Sequence, residues 1–238
     1  MNEELGVINA MIDSSYIETQ VMFELEKSKE LTIDETVLYF LQNSQYPWEL
    51  LGDKIEKMIY ACKENKGIKT QDYVKIYPNV TFQKMDSIFI EEGAVIEPYS
   101  LLCGPLFISK GATVRHGAYL RGNCFLSDGS IVGHTTECKN ALFLNQAKAA
   151  HFNYIGDSIL GYDVNLGAGT KLANLKFDHS QIKIRTRHET ILTGIKKFGA
   201  ILGNRAQTGC NSVTNPGTIF LPDTFLLPNK TALGIIFK

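Results

Sequence analysis

Four polar residues in the middle of the chain have types and spacing that could support acid–base chemistry on a phosphorylated ligand. Glu137 and Lys139 are two residues apart, so both face the same side if this segment is a strand. Arg121 lies 18 residues before Lys139, and two cations held close together suit a phosphate group. His151 adds an imidazole, a group that can accept a proton near neutral pH. Use of these residues in one site requires a fold that brings their separate segments together.

A repeat of six residues supplies such a fold. Every sixth residue from Ile90 onwards is apolar without a break: Ile90, Ile96, Leu102, Ile108, Val114, Leu120, Leu126, Val132, Cys138, Leu144 and Ala150. A period of six fits neither a helix nor a single strand, but it fits three short strands per turn of a parallel β-helix. The sequence therefore predicts a mainly β fold in which the apolar residue points inwards and Arg121 and Lys139 stack on adjacent turns.

The predicted β-helix extends over residues 71–238 and begins near Val74. After Ala150 the spacing slips by one residue at Ile155 and again at Leu160. Residues 175–198 are out of phase and rich in charge, which predicts a loop on one face of the β-helix. Both a ligand-binding loop and a solvated excursion fit this composition. The repeat then returns at Leu202, Thr208, Thr214, Phe220 and Leu226.

Residues 1–70 predict a small α-helical domain, because they contain few glycines and show helical patterns of apolar residues. Candidate helices run from Tyr16 to Lys29, from a capping box at Thr32 to Glu35, and from Pro47 to a stop at Gly67. Such a domain could cover the open end of the β-helix, as the caps of solenoids do, or dock a partner protein.

Composition limits the classes of function. The formal net charge of −1 and a pI near 6.5 give no electrostatic case for binding nucleic acid or a membrane surface. No apolar run reaches the roughly 20 residues of a membrane span, and no basic region precedes an apolar one at the N-terminus. The five cysteines form no CxxC pair, which favours a reduced cytoplasmic protein.

The segment from Arg121 to Asn174 resembles, without gaps, the acetyltransferase domain of bifunctional UDP-N-acetylglucosamine pyrophosphorylase/glucosamine-1-phosphate acetyltransferase. It also resembles the C-terminal half of archaeal sugar-1-phosphate nucleotidylyltransferases, and the likeness continues through residues 199–203 and 209–211. The resemblance implies a left-handed β-helix and a homotrimer with its sites in the grooves between subunits. It further implies acetyl-CoA as co-substrate and an amino-sugar 1-phosphate as acceptor.

The resemblance also implies a role for individual residues. His151 matches the general base that takes a proton from the sugar amine, and Glu137 matches an acid near that histidine. The phosphate would be held by Arg121 and Lys139, with Lys183 as a further candidate. Residues that match sugar ligands are Tyr154 and Asn165; residues that match the acetyl-CoA site are Ala168, Asn174, Leu175 and Cys210. Amine attack on a thioester needs alignment and a base, so no metal site is expected.

Three other functions were weighed against this one. A non-catalytic hexapeptide protein could bind a sugar nucleotide, or a partner enzyme through its helical domain. A metal-dependent hydratase would need three converging histidines, and the five histidines show no helpful spacing. Residues 166–172 superficially resemble the phosphate loop of nucleotidyltransferases, but they keep the phase of the hexapeptide repeat. No nucleotidyltransferase domain is therefore expected.

Overall fold

The structure, a computed structural model, describes residues 12–68 and 75–237. The first of these ranges holds the α-helices α1 (Thr19–Met22), α2 (Glu35–Gln42) and α3 (Asp53–Lys66) and the 3-10 helices Ser14–Ile17, Leu25–Lys27 and Pro47–Leu50. A further 3-10 turn lies at Met85–Ser87. None of the helices in the described ranges is long and apolar enough to cross a membrane.

The second range is built from short strands. They are β1 (Lys75–Ile76), β2 (Thr81–Gln83), β3 (Ile88–Ile90), β4 (Val95–Ile96), β5 (Leu101–Cys103), β6 (Leu106–Ile108), β7 (Thr113–Val114), β8 (Tyr119–Leu120), β9 (Cys124–Leu126), β10 (Ile131–His134), β11 (Glu137–Phe143), β12 (Lys148–His151), β13 (Tyr154–Leu160), β14 (Asn165–Leu166), β15 (Lys171–Leu172), β16 (Lys183–Arg185), β17 (Thr190–Leu192), β18 (Ala200–Leu202), β19 (Gln207–Thr208), β20 (Val213–Thr214), β21 (Thr218–Phe220), β22 (Phe225–Leu226), β23 (Thr231–Ala232) and β24 (Ile235–Ile236).

These strands form a parallel β-helix with three faces, which confirms the predicted fold. Face A has the order β1-β4-β7-β10-β12-β14-β19-β22, and face B has the order β2-β5-β8-β11-β13-β15-β20-β23. Face C contains β3, β6, β9, β18, β21 and β24 together with the second halves of β11 and β13. The seven-residue strands β11 and β13 continue around the corner between faces B and C, so these two faces form one fourteen-stranded sheet.

The predicted inward positions are correct up to Cys138 and then shift by one residue. Phe143 and Ala149 pack in the central core, whereas the predicted Leu144 packs outside it and Ala150 is half-buried. The cause is a corner with one residue fewer, since β11 pairs with β9 at an offset of 17, as in Phe125↔Leu142. The slip predicted at Ile155 therefore occurs two sides earlier, at Phe143, while the slip at Leu160 is as predicted.

The N-terminal helices cover face C rather than the end of the β-helix, so the end-cap interpretation is wrong. One outward column of face C is apolar on successive turns: Phe89, Phe107, Phe125, Leu142, Ile159, Ile201, Ile219 and Ile235. Helix α3 contacts β6, β9 and β11, and its apolar side chains share one core with this column. An apolar sheet face needs a cover, and the helices supply it.

The local structure of the N-terminal range differs from its prediction in two places. The predicted helix from Tyr16 to Lys29 is broken into three short pieces. Helix α2 begins after Asp34, whose Oδ1 accepts from the backbone N–H groups of Thr36 at 2.9 Å and Val37 at 3.3 Å, so the predicted cap at Thr32 is wrong by two residues. Gly67 ends α3 in the left-handed conformation, as predicted.

The charged segment at residues 175–198 contains a β-hairpin of β16 and β17. Ile182 and Ile184 are buried in the core that lies along face C, while Lys183 and Arg185 between and after them are exposed. The hairpin is thus anchored by apolar contacts. The predicted boundary between residues 70 and 71 and the predicted start at Val74 lie outside the described residues.

An ion pair also joins the N-terminal range to the late turns of the β-helix. Arg205 Nη1 lies 2.6 Å from Glu24 Oε2, and Asn204 Nδ2 donates to the carbonyl of Phe23 at 2.9 Å. The hydrogen bond from Arg205 is the main cause that lowers the pKa of Glu24 from 4.5 to about 2. Glu24 therefore stabilises the folded chain in its charged form.

We expect Phe107→Ala to lower the free energy of unfolding by about 3–5 kcal/mol, because it opens a cavity in a closed core. Phe107 is fully buried and its ring stacks on that of Phe125 with centroids 4.9 Å apart. Phe225→Ala is the matched control, since that ring is 66% exposed, and it should change stability little. Urea unfolding of the two variants compares them; equal losses would show that face C does not depend on this column.

We expect the stability conferred by Glu24 to be complete above pH 4.5 and to be lost as the pH falls towards 2. Glu24→Gln should cost about 2–3 kcal/mol at pH 6, and its difference from the wild type should shrink at pH 2–3. Urea unfolding at both pH values measures this difference. Glu26→Gln, at an exposed neighbouring position, is the control and should keep the wild-type pH dependence.

Candidate functional site

The predicted stacking of Arg121 over Lys139 is present on the outward side of face B. Strand β8 pairs with β11 in the register Tyr119↔Glu137, and the backbone N–H of Arg121 donates to the carbonyl of Cys138 at 2.8 Å. This register places Arg121 beside Lys139 on the next turn. Side chains along a strand point alternately inwards and outwards. Arg121 and Lys139 hold matching positions on neighbouring turns, so the two cations project from the same face.

The carboxylate of Glu137 pairs with Arg121 in the single chain. Arg121 Nη1 lies 2.7 Å from Glu137 Oε1, and this hydrogen bond raises the pKa of the guanidinium above its ordinary value. Both side chains are partly exposed, so the pair is open to exchange with an anionic ligand. The resemblance assigned Glu137 to the neighbourhood of His151; the structure gives it Arg121 as its hydrogen-bonding partner.

Lys139 faces a buried carboxylate that the sequence analysis did not select. Lys139 Nζ lies 3.5 Å from Asp157 Oδ2, and the side chain of Asp157 is only 5% exposed. Asn140 Nδ2 donates to Asp157 Oδ1 at 2.7 Å, and Asn174 Nδ2 donates to Asp157 Oδ2. A regular spacing could have revealed this group, because polar residues recur every 17 positions at Asn123, Asn140, Asp157 and Asn174.

Tyr154 and Asn174, both selected from the sequence, meet next to this carboxylate. The Tyr154 hydroxyl donates to Asn174 Oδ1 at 3.4 Å. Burial, with the charges of Glu137 and Asp157, raises the pKa of Tyr154, so its hydroxyl remains a donor at neutral pH. Gly156 makes room for both groups: a Cβ there would lie 2.7 Å from the Tyr154 hydroxyl and 2.6 Å from Asn174 Nδ2.

A shallow cleft of about 310 Å³ opens beside these residues. Its lining includes Lys84, Arg121, Lys139 and Asp157, together with the backbone of Gly104 and neighbouring positions. Three cationic side chains and one buried carboxylate therefore border the same space. The net charge of this lining favours an anion.

His151 lies at the corner between faces A and B, at the end of β12, and is exposed. Two residues assigned to the acetyl-CoA site occupy the same column on the next turns. The carbonyl of His151 accepts from Gly169 N at 3.1 Å, and the carbonyl of Ala168 accepts from Asn211 N at 2.8 Å. These backbone hydrogen bonds place His151, Ala168 and Cys210 at the same position on successive turns. Ala168 is half-buried and Cys210 is exposed, so the column presents small side chains to its surroundings.

The column also contains two further histidines, His116 and His134. His134 pairs with His151 across β10 and β12, and the rings of His116 and His134 are 5.6 Å apart. His134 Nδ1 lies 3.1 Å from the carbonyl of His116. The 18- and 17-residue spacings match successive turns. Within residues 12–68 and 75–237, no group of three or more His, Cys, Asp or Glu side chains is placed to hold a metal ion.

Three of the residues selected from the sequence lie apart from the cleft on other elements. Asn165 is exposed on face A, on strand β14, beyond the corner that carries His151. Leu175 lies at the start of the charged segment and forms an isolated antiparallel β-bridge with Lys197. Lys183 is exposed on the hairpin strand β16. One chain therefore presents the phosphate and histidine positions at the two corners of face B, and these three residues lie on other elements.

Comparisons with known proteins agree with the fold and the motifs. No family model matches the chain. A bifunctional GlmU protein of Methanococcus aeolicus is 35% identical over 171 residues, which cover 72% of this chain and 39% of that protein. A GlmU protein of Methanococcus maripaludis is 29% identical over 218 residues, covering 91% and 51% respectively.

A third relative is the bifunctional sugar-1-phosphate nucleotidylyltransferase/acetyltransferase of Sulfurisphaera tokodaii. It is 40% identical over 81 residues, which cover 34% of this chain and 20% of that protein. The chain thus spans about half or less of the length of these relatives. The resemblance carried by Arg121 to Asn174 is confirmed: the chain is homologous to part of the bifunctional GlmU and sugar-1-phosphate nucleotidylyltransferase/acetyltransferase proteins.

Proposed function

We propose that this protein is an acetyl-CoA-dependent N-acetyltransferase that acts on an amino-sugar 1-phosphate. One observation carries the proposal: the Arg121–Lys139 stack borders a cationic cleft at one corner of face B, and His151 stands exposed at the other corner of the same face. The names of the relatives include sugar-1-phosphate and acetyltransferase activities, which supports this substrate pair. The resemblance to the bifunctional enzymes implies that such a product would be used in the synthesis of UDP-N-acetylglucosamine.

In this reaction the amine nitrogen of the sugar attacks the carbonyl carbon of the acetyl thioester. The new C–N bond forms as the C–S bond breaks, and CoA leaves as a thiolate that takes up from His151 the proton lost by the amine and so becomes the thiol. His151 takes the proton that the amine loses, which is the role of a general base with an imidazole near neutral pH. The protein's contribution is alignment of the two substrates and this proton transfer, so no protein nucleophile is required.

The acceptor would be held by its phosphate and its sugar hydroxyls. Arg121 offers a planar fork of donors and Lys139 a single point charge, a combination suited to a phosphate monoester. The ligand would displace Glu137 from Arg121, which frees that carboxylate to approach the amine or the imidazole. Tyr154, Asn165 and Lys183 are the proposed sugar and phosphate ligands that complete the acceptor site.

The acyl donor would lie along the column above His151. Small side chains at Ala168 and Cys210 leave room for an extended pantetheine arm on consecutive turns. Asn174, next to the cleft, would bind the thioester end, and Leu175 would contact the donor at the start of the charged segment. In this order both the thioester carbon and His151 would lie beside the amine of the acceptor.

A homotrimer would complete the site. Asn165 on face A and the cleft on face B lie on opposite sides of the corner that carries His151. In the groove between two subunits, face A of one copy could meet face B of its neighbour, which would bring Asn165 to the cleft. The five cysteines are free thiols, which suits a reducing cytoplasmic compartment.

We expect His151→Ala to reduce turnover by about 10²–10⁴-fold, because it removes the base from the attacking amine. Release of the CoA thiol from acetyl-CoA measures turnover, with glucosamine-1-phosphate and galactosamine-1-phosphate as acceptors. The matched control is His116→Ala, which removes an exposed imidazole two turns away in the same column and should leave turnover unchanged.

Normal turnover in the His151→Ala protein would contradict the assignment of the base. A folded trimer that turns over no amino-sugar phosphate would contradict the transferase and favour the non-catalytic alternative. A sugar nucleotide that raises the melting temperature while acetyl-CoA does not would then identify the protein as a binding module.

We expect inorganic phosphate to raise the melting temperature of the wild-type protein through the Arg121–Lys139 cleft. Arg121→Gln should weaken phosphate binding about tenfold, the loss expected for one charge-assisted contact. Lys63→Gln is the control, because Lys63 pairs with Glu64 at 3.7 Å in the last turn of helix α3, away from the cleft. The same phosphate dependence in all three proteins would rule out this cleft as the phosphate site.

A further inference from the structure

Asp157 is a buried titratable group to which the proposed reaction assigns no step. Both of its oxygens are occupied: Oδ1 accepts from Asn140 at 2.7 Å, and Oδ2 is shared by Asn174 and Lys139. Every contacting group donates to the carboxylate or carries positive charge. A carboxylate so surrounded acts as a fixed acceptor rather than as an acid or base.

The position of Asp157 is set by the shape of the corner between faces B and C. Asn123, Asn140 and Asp157 follow one another on successive turns, and all three have left-handed backbones with φ of 55°, 47° and 49°. Asn123 Nδ2 donates to Asn140 Oδ1 at 2.7 Å, so the side chains form a hydrogen-bonded ladder along the corner. Asparagine and aspartate tolerate this backbone conformation better than other residues with a side chain. Each side chain of the ladder therefore lies within hydrogen-bonding distance of the next one.

The N-terminal range contacts this ladder through the backbone of Gly52. The backbone N–H of Gly52 donates to Asn140 Oδ1 at 3.0 Å, and the carbonyl of Gly52 accepts from Asn123 Nδ2 at 2.9 Å. These bonds leave the amide nitrogen of Asn140 directed at Asp157. Gly52 lies between the 3-10 turn Pro47–Leu50 and helix α3, which packs on face C. The docked helices and the cleft are therefore joined by continuous hydrogen bonds.

We propose that Asp157 is the positioning residue of the anion site: it orients Lys139 towards the cleft, and the Gly52 peptide fixes Asp157 through Asn140. The proposal rests on the proposed function only in taking the cleft as the site of the phosphate group. It gives the N-terminal helices a role in the site, namely to hold the ladder on which the lysine depends.

The geometry at Lys139 explains how such positioning operates. A lysine ammonium carries three donors on a flexible stem, and ordering that stem costs side-chain entropy. One contact with Asp157 at 3.5 Å restricts the stem and leaves other donors free for a ligand. Arg121 on the adjacent turn is paired with Glu137, so Asp157 acts on Lys139 and not on Arg121.

The test is a double-mutant cycle on phosphate binding, measured by calorimetry with inorganic phosphate on the full-length protein. Asp157→Asn keeps the volume and the backbone conformation but removes the charge; it should weaken phosphate affinity about 5- to 10-fold. In a Lys139→Gln background the same change should alter phosphate affinity less than about twofold, because the ammonium group that Asp157 positions is absent. Glu64→Gln, which removes the partner of Lys63 on helix α3, is the matched control and should not alter phosphate affinity.

A second variant covers the case in which Asp157→Asn does not fold. Asn140→Gly permits the left-handed backbone and removes the side chain that links Gly52 and Asn123 to Asp157. It should weaken phosphate binding in the wild-type background and have no further effect beside Lys139→Gln. Unchanged affinity in the folded variants, equal losses in both backgrounds, or no phosphate binding by the wild-type protein would each overturn the proposal. Acetyl transfer is not needed for this measurement, so failure of the proposed reaction would be seen separately.

Discussion

The parallel pairing of each turn with the next is the constraint on which the rest of this structure depends. Because each strand pairs in register, residues 17 or 18 positions apart become neighbours, and any residue type repeated at that interval forms a column. The inward column is the apolar core of the β-helix. Three outward columns have other chemistry: the apolar column of face C, the histidine column and the polar ladder at one corner.

The shortened corner connects these columns to the candidate site. Strands β11 and β13 each lose one residue at the corner that holds Asn140 and Asp157, and each strand continues onto face C. The side chains at this corner form the ladder and reach Lys139. The apolar column on face C binds helix α3 nearby, which places Gly52 against the same ladder. A local change in spacing thus brings the N-terminal helices and the cleft together.

The cleft combines two electrostatic environments. Arg121 and Glu137 form an exposed pair that an anionic ligand can replace at little cost, because solvent screens such pairs. Lys139 and Asp157 form a pair whose carboxylate is buried and whose geometry the surrounding amides fix. One cation is therefore available by exchange, and the other is held in place beforehand. This division suits a site that must bind a phosphate and still align an amine.

The sequence by itself determined the β-helix, because a six-residue period has one simple structural solution, and the stacking of Arg121 on Lys139 follows from that period. It also carried the family resemblance from Arg121 to Asn174, since those residues are contiguous. Only the tertiary structure decided that Phe143 replaces Leu144 in the core, because a one-residue slip leaves two neighbouring apolar residues equally suited to the inward position. It likewise decided that helix α3 covers face C and that Asp157 lies at the centre of the site. Those outcomes depend on contacts between segments as much as 88 residues apart, as between Gly52 and Asn140, which no local pattern encodes.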